Sequence, residues 1–366
     1  LGLATAFHPL VGGWSMLAAG CAWLSCQHRR PPLLKMLPAI CVALVLALPG
    51  LIPALLLNRG VDAEVVREAN TIYVYGRLPH HLVFHRFPHG YMARHAILLV
   101  LWLAACRATP CLLSAGVVGQ RPLRGFVGGA VLIAILGIVI DQSLLYHLDV
   151  AAGLLRYYWF RLSDAMLAAG AALAVVAWLV TLRARRPGWG LAALIVAGLI
   201  VSGNLAWTNY QRRSDLRPMA DVQVLPAWSN DPAATRRTYD DWRQACRWIA
   251  ENTPPDACFI TPKMQQTFKW YAERSEVCCW KDVPQDAVKL IEWWQRQREL
   301  YPRKVALGGL AVHGEQALRE LAKKYGADYV MLDRCVSSRP LLLRRVYPPV
   351  LSKAASVYEV YSVDEQ

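Results

Sequence analysis

Apolar residues are laid out in two different ways along this chain. Up to residue 207 they form long, nearly unbroken runs at about 4–25, 36–57, 92–108, 125–145, 162–182 and 189–207. Each is near the ~20 residues that a helix needs to cross a bilayer, which predicts six spans. The third is the weakest, because Arg107 interrupts it and 109–119 stays moderately apolar, as a surface-lying or re-entrant piece would. Pro49-Gly50 and Pro53 predict a kink in the second, tolerated where neighbouring helices cover the freed carbonyls.

After residue 207 the apolar positions shorten and become periodic. Residues 208–235, with Pro218, Pro226 and Ser229-Asn230-Asp231-Pro232, read as a linker. A helix is predicted from about Thr238, an N-cap with Asp241 three residues on, with Trp242, Cys246, Ile249 and Ala250 on its apolar face. Asn252-Thr253-Pro254-Pro255 stops it, since proline cannot continue a helix. Strands follow at Ala257–Ile260, Glu276–Trp280, Asp328–Asp333 and Ser356–Val363, and helices at about 285–300 and 314–325, the last closed by Gly326. Alternating helices and strands over 236–366 imply a layered α/β domain. The fold class is therefore a multi-pass α-helical membrane bundle (1–207) followed by a soluble extracytoplasmic α/β domain.

Charge supports the division and orients it. Residues 1–207 hold 16 basic and 6 acidic side chains, and 208–366 hold 24 and 20. The basic excess of the first part sits between apolar runs, which fits a lipid bilayer as partner and not nucleic acid. Arg29, Arg30 and Lys35, then Arg107, Arg121 and Arg124, then Arg183, Arg185 and Arg186 occupy three short loops without an acidic residue. Those loops are expected in the cytoplasm, and 58–91, 146–161 and everything after Trp207 outside it, in the cell membrane. The chain opens at Leu1, inside an apolar run and without a basic leader. A fragment lacking upstream helices is expected, a processed terminus being the alternative.

Several runs carry a resemblance. Asp241-Trp242, Cys246-Arg247-Trp248-Ile249, Glu251-Asn252-Thr253-Pro254-Pro255-Asp256-Ala257, Phe268-Lys269-Trp270-Tyr271-Ala272-Glu273-Arg274, Trp280-Lys281-Asp282-Val283-Pro284-Gln285 and Lys324-Tyr325-Gly326-Ala327-Asp328-Tyr329-Val330 resemble an uncharacterised bacterial family of polytopic membrane proteins with a C-terminal domain of unknown function. Arg77-Leu78-Pro79-His80-His81-Leu82 and Phe160-Arg161-Leu162-Ser163-Asp164 look like its membrane-half motifs. In architecture alone the chain is similar to C-fold glycosyltransferases. That implies glycosyl or phosphoglycosyl transfer from a polyprenyl-phosphate-linked sugar at the outer leaflet. The rival class is a non-enzymatic scaffold or binding protein whose external domain recognises a partner or an envelope glycan.

Candidate chemistry is thinly spread. In the transfer reading a carboxylate acts as general base and basic groups hold the donor phosphate. Asp62 or Asp164 would take the first role, and His80, His81 or Arg161 the second. His80, His81, Arg161 and Asp164 are expected to line one cavity at the outer leaflet, although Arg161 and Asp164, three apart, equally suit a local ion pair. His8, Asp141 and His147 fall on the same side. His81, His85 and His89 have the spacing to share one face of a helix and bind a metal, but Pro79 and Pro88 argue against a continuous helix there. No cofactor is assigned, and a divalent metal is left open. In the second part Gln265, Arg274, Lys281 and Asp282 follow strand ends, where Arg274 and Lys281 suit a phosphate or carboxylate. Trp270, Trp280, Trp293 and Trp294 suit sugar stacking, core packing or interface anchoring. Five cysteines, Cys246, Cys258, Cys278, Cys279 and Cys335, allow one bridge without choosing a pair.

Overall fold

The computed structural model describes residues 1–26, 30–109, 120–213, 232–337, 339–349 and 356–363. The apolar tail 110–119, Arg29 and most of the expected linker lie outside the described residues. The chain forms two compact units, Leu1–Ser202 with Asp286–Val288, and Gly203–Gln285 with Lys289–Gln366.

The first unit is helical: α1 (Gly2–Phe7), α2 (Pro9–Ser25), α3 (Leu33–Leu56), α4 (Ala63–Thr71), α5 (Pro79–Leu82), α6 (His89–Ala108), α7 (Gln120–Ser143), α8 (Leu148–Leu155), α9 (Arg161–Arg185) and α10 (Pro187–Arg213). Among the described residues five of these are long and apolar enough to span a bilayer: α3, α6, α7, α9 and α10. The expected first span, about 4–25, is interrupted. It breaks at His8-Pro9, because proline has no N–H to continue a helix, and the His8 ring nitrogen instead accepts from the Val11 amide at 3.4 Å. The 17 residues left in α2 reach about 26 Å at ~1.5 Å per residue. Apolar side chains point outward along α3 and α10, including Leu34, Val45, Leu55, Leu199 and Ile200, as lipid-facing helices require.

Small residues set the inner packing. A Cβ at Gly129 of α7 would come within 2.8 Å of Cys21 Cβ and 3.0 Å of Ala18 Cα, so glycine is what brings α7 against α2. Ala18, Ala130, Ile133 and Leu162 form the buried cluster at that crossing, and Trp102, Val127, Leu167 and Ala171 form a second one among α6, α7 and α9.

The second unit carries α11 (Pro232–Asn252), β1 (Cys258–Ile260), α12 (Phe268–Ala272), β2 (Ser275–Glu276), α13 (Ala287–Leu300), α14 (Arg303–Gly308), α15 (Glu315–Tyr325), β3 (Tyr329–Asp333), β4 (Arg344–Tyr347) and β5 (Tyr358–Ser362). The sheet order is β2-β1-β3-β5-β4, with β1 parallel to β2 and β3, and β5 antiparallel to β3 and β4. Trp242, Cys246 and Ile249 of α11 bury against Phe259, Phe268, Met331 and Tyr358, as their helical spacing predicts. Thr238 is not an N-cap, because α11 starts at Pro232. Asp241 instead accepts the Val357 amide at 2.9 Å and ties α11 to β5. Gly326 closes α15 in the left-handed conformation, φ 64°. Cys246, Cys258, Cys278, Cys279 and Cys335 form no disulfide among the described residues.

Candidate functional site

Parallel β1 and β2 end side by side, and the segments leaving their carboxyl ends gather polar groups, as open α/β sheets commonly do. Thr261, just past β1, donates to Glu276 Oε2 at 2.7 Å. The Glu276 side chain is 1% exposed, and its Oε1 has no hydrogen-bond partner. Lys269 of α12 places Nζ 4.0 Å from that oxygen and 2.6 Å from Asp282 Oδ2. Burial pushes the Glu276 carboxyl above the ordinary carboxylate range, with Thr261 and Lys269 opposing it. Burial works against charge on Lys269, but its bond to Asp282 outweighs this and the ammonium is held above its usual value.

Glu276, Cys279 and Asp282 bring ligand atoms within 4.8 Å of one another, and they are the only trio among the described residues to do so. The ammonium of Lys269 already supplies a positive charge to both carboxylates, so no metal is assigned to them. Burial raises the Cys278 thiol to about 12 and the Cys279 thiol to about 11, so neither is a thiolate nucleophile at neutral pH.

Beside this cluster lies a cleft of about 350 Å³ whose wall holds three cations, Lys263, Arg298 and Arg303, and three aromatic rings, Trp280, Trp294 and Tyr301. Its frame is fixed from beneath. The buried Tyr301 hydroxyl donates to Thr261 O at 2.7 Å, and Trp293 Nε1 donates to Cys279 O at 2.9 Å. The Trp280, Trp293 and Trp294 rings follow one another at 5.7 and 6.0 Å, and Lys263 Nζ sits 4.4 Å from the centre of Trp280. Gln297, 3% exposed, also lines the cleft; its amide nitrogen donates to Cys278 Sγ, while its Oε1 has no hydrogen-bond partner.

The residues singled out from sequence divide between structural and open roles. Arg274 donates to Ala250 O and Thr253 O at 2.7 Å each and to Thr253 Oγ1 at 3.1 Å, closing the carbonyl end of α11. Lys281 is exposed and is not part of the cleft wall. Gln265 is buried and donates to the Tyr358 hydroxyl. Trp293 is buried in the core, Trp270 is exposed, and Trp280 and Trp294 face the cleft.

In the helical unit Asp62 caps α4 by accepting the Glu64 amide at 2.6 Å. Asp164 pairs with Arg94 at 2.9 Å instead of with Arg161, and Ser163 meets His95 at 3.2 Å. His80 and His81 are exposed, with ring centres 4.2 Å apart. His81 lies in α5, His85 in a 3₁₀ turn at Phe84–Arg86, and His89 opens α6, so no single helix carries the three. Val83 and Phe87 between them are extended, the latter because proline follows it. His85 turns instead to Asp141, whose Oδ2 is 3.1 Å from His85 Nδ1 and accepts the His85 amide at 3.2 Å. Asp141 is 1% exposed.

Fold and sites together define a multi-pass helical membrane protein with a small mixed-sheet domain at its C-terminal side. Residues 240–300 match the family model of a domain of unknown function, DUF6798. That stretch holds β1, α12, β2 and α13, and with them the Glu276 cluster and Lys263, Trp280, Trp294, Gln297 and Arg298 of the cleft. No curated protein matches the chain.

Proposed function

We propose that this is a bacterial cell-membrane protein that carries its C-terminal domain outside the cytoplasm as a recognition module for an acidic glycan, without a cofactor. The observation behind this reading is the cleft: Trp294 in its wall suits a sugar ring, and the exposed Arg298 and Arg303 suit carboxylates. The acid-free Arg-rich loops support the external placement. Trigalacturonate, titrated into the full chain in detergent, is the test. It is expected to bind, maltotriose is not, and Trp294→Ala and Arg298→Gln each weaken binding. Equal binding of the neutral sugar, or none of either, would remove the reading.

The transfer reading from a polyprenyl-phosphate-linked sugar keeps one observation in its favour. Asp62 and Asp164 are engaged as a helix cap and an ion-pair partner, but the buried Asp141 with His85 is a carboxylate–imidazole pair of the kind general bases use. Release of polyprenyl phosphate from such a donor by the purified protein, lost in Asp141→Asn, would move the assignment there.

A further inference from the structure

One buried polar atom at the cleft of the C-terminal domain, Gln297 Oε1, has no hydrogen-bond partner among the described residues. Its surroundings come largely from one helix face. Trp294, Gln297 and Arg298 stand at i, i+3 and i+4 on α13, and Tyr301 continues the row at i+7, just past the last residue of the helix. They differ in depth. Gln297 and Tyr301 are 3% and 5% exposed, whereas Arg298 is exposed, as is Arg303 beyond it. The cleft thus grades from a neutral floor to a cationic rim.

Which end of the Gln297 amide is left over follows from its neighbour. Burial keeps Cys278 a thiol with one hydrogen, and Sγ directs it to Trp293 O at 3.8 Å. The sulfur can then only accept from Gln297, which assigns Nε2 to the 2.9 Å contact and leaves Oε1 as the open end. The donors close by are already spent. The Tyr301 hydroxyl is given to Thr261 O and Trp293 Nε1 to Cys279 O. A buried carbonyl without a donor is costly, and the cleft is the side from which a donor can come.

We infer, on the basis of the acidic-glycan reading, that Gln297 is a specificity-determining residue: its Oε1 accepts a hydrogen bond from a free ring hydroxyl of the sugar that stacks on Trp294, while Arg298 and Arg303 hold carboxylates at the rim. An ionised carboxylate does not suit the inner place, because it has no hydrogen to give and would face a carbonyl oxygen. The sugar is thereby oriented, hydroxyl inward and carboxylate outward. A site built around a hydroxyl rejects the analogue that lacks it, since the protein oxygen is then left unpaired.

The test titrates the full chain in detergent with trigalacturonate and with its analogues deoxygenated at C2 or at C3 of every ring. The parent is expected to bind at least one analogue about tenfold more weakly than trigalacturonate. Gln297→Met keeps the length of the side chain and removes the acceptor. It should bind trigalacturonate as weakly as the parent binds that analogue, and should no longer distinguish the two. Arg298→Gln should weaken all three ligands by one factor and keep the discrimination, because it removes a carboxylate partner and not the hydroxyl contact. Equal binding of all three by the parent, or a discrimination that survives in Gln297→Met, would overturn the inference and leave the glycan reading in place. No binding of trigalacturonate by the parent would remove both. The comparison on the parent needs no variant, so it decides the matter even where Gln297→Met lowers the thermal midpoint.

Discussion

Arg274 separates a ligand-holding role from a structural one, and its replacement by methionine measures which it has. The guanidinium makes three contacts with the end of α11: Nη2 to Ala250 O and Thr253 O, and Nε to Thr253 Oγ1. A helix ends with four carbonyls lacking intrahelical partners, and a cation there also meets the negative end of the dipole. Hydrogen bonds to a charged group contribute ~1.5–3 kcal/mol each when buried. This site is half-buried and water replaces part of the loss, so Arg274→Met is expected to cost about 2–3 kcal/mol in all. For a domain of ~130 residues that lowers Tm by about 6–12 °C. Arg274→Lys keeps the charge but cannot reach three acceptors in one plane, and should recover less than half. The assay is proteolysis of the C-terminal domain during a temperature ramp on the full chain in detergent, with trigalacturonate binding measured below the transition. Loss of binding in Arg274→Met with an unchanged midpoint would refute the structural assignment and return Arg274 to the ligand.

Glu276 makes stability depend on pH with a definite sign. Its carboxyl is raised by burial, so the native state holds a proton that the unfolded chain releases. The associated stability is present below the ordinary carboxylate value and is lost as pH rises through the raised one. Urea unfolding of the C-terminal domain from about pH 4 to 7 should show that decline, and Glu276→Gln should flatten it; an unchanged slope in the variant would show that another group titrates. In the helical unit Gly129→Leu forces side-chain atoms onto Ala18 and Cys21 and should cost about 1–3 kcal/mol, read as a lower midpoint in detergent. A midpoint equal to the parent would mean α2 and α7 do not pack this closely. In a background with native cysteines replaced, an impermeant thiol reagent on intact cells should label Glu315→Cys and not Arg185→Cys; the reverse pattern would invert the orientation.

What the sequence made legible is what periodicity encodes. The apolar face of α11 followed from Trp242, Cys246 and Ile249, and the close of α15 from Gly326, since both depend on residues near in the chain. Elements decided by distant partners escaped it. The strand expected over Glu276–Trp280 stops at Glu276, because Cys279 O is taken by Trp293 Nε1 and not by a neighbouring strand. The residues Arg344–Tyr347, whose strand was not expected, alternate no apolar face and become β4 only by pairing with β5. The first apolar run divides into α1 and α2 at one residue, Pro9, whose missing N–H hydropathy does not register.

The sites follow the same logic more severely. Asp62, Asp164 and Arg274 looked chemical because charged residues near apolar runs and strand ends are conspicuous, yet each is absorbed by a backbone or ion-pair partner that spacing alone does not reveal. The groups that remain of interest are conspicuous only in three dimensions. Gln297 has an ordinary helical position and matters because its Oε1 is buried at the wall of a cleft without a hydrogen-bond partner. Tyr73 and Tyr158 lie 85 residues apart, and a π-helical turn and a left-handed tyrosine bring their hydroxyls within 2.8 Å of each other. A one-residue change in helical register would turn Tyr73 away, whereas the hydropathy of the segment would hardly alter. Polar sites of this kind are fixed by backbone irregularities that cost stability, and such irregularities leave almost no mark on composition or period.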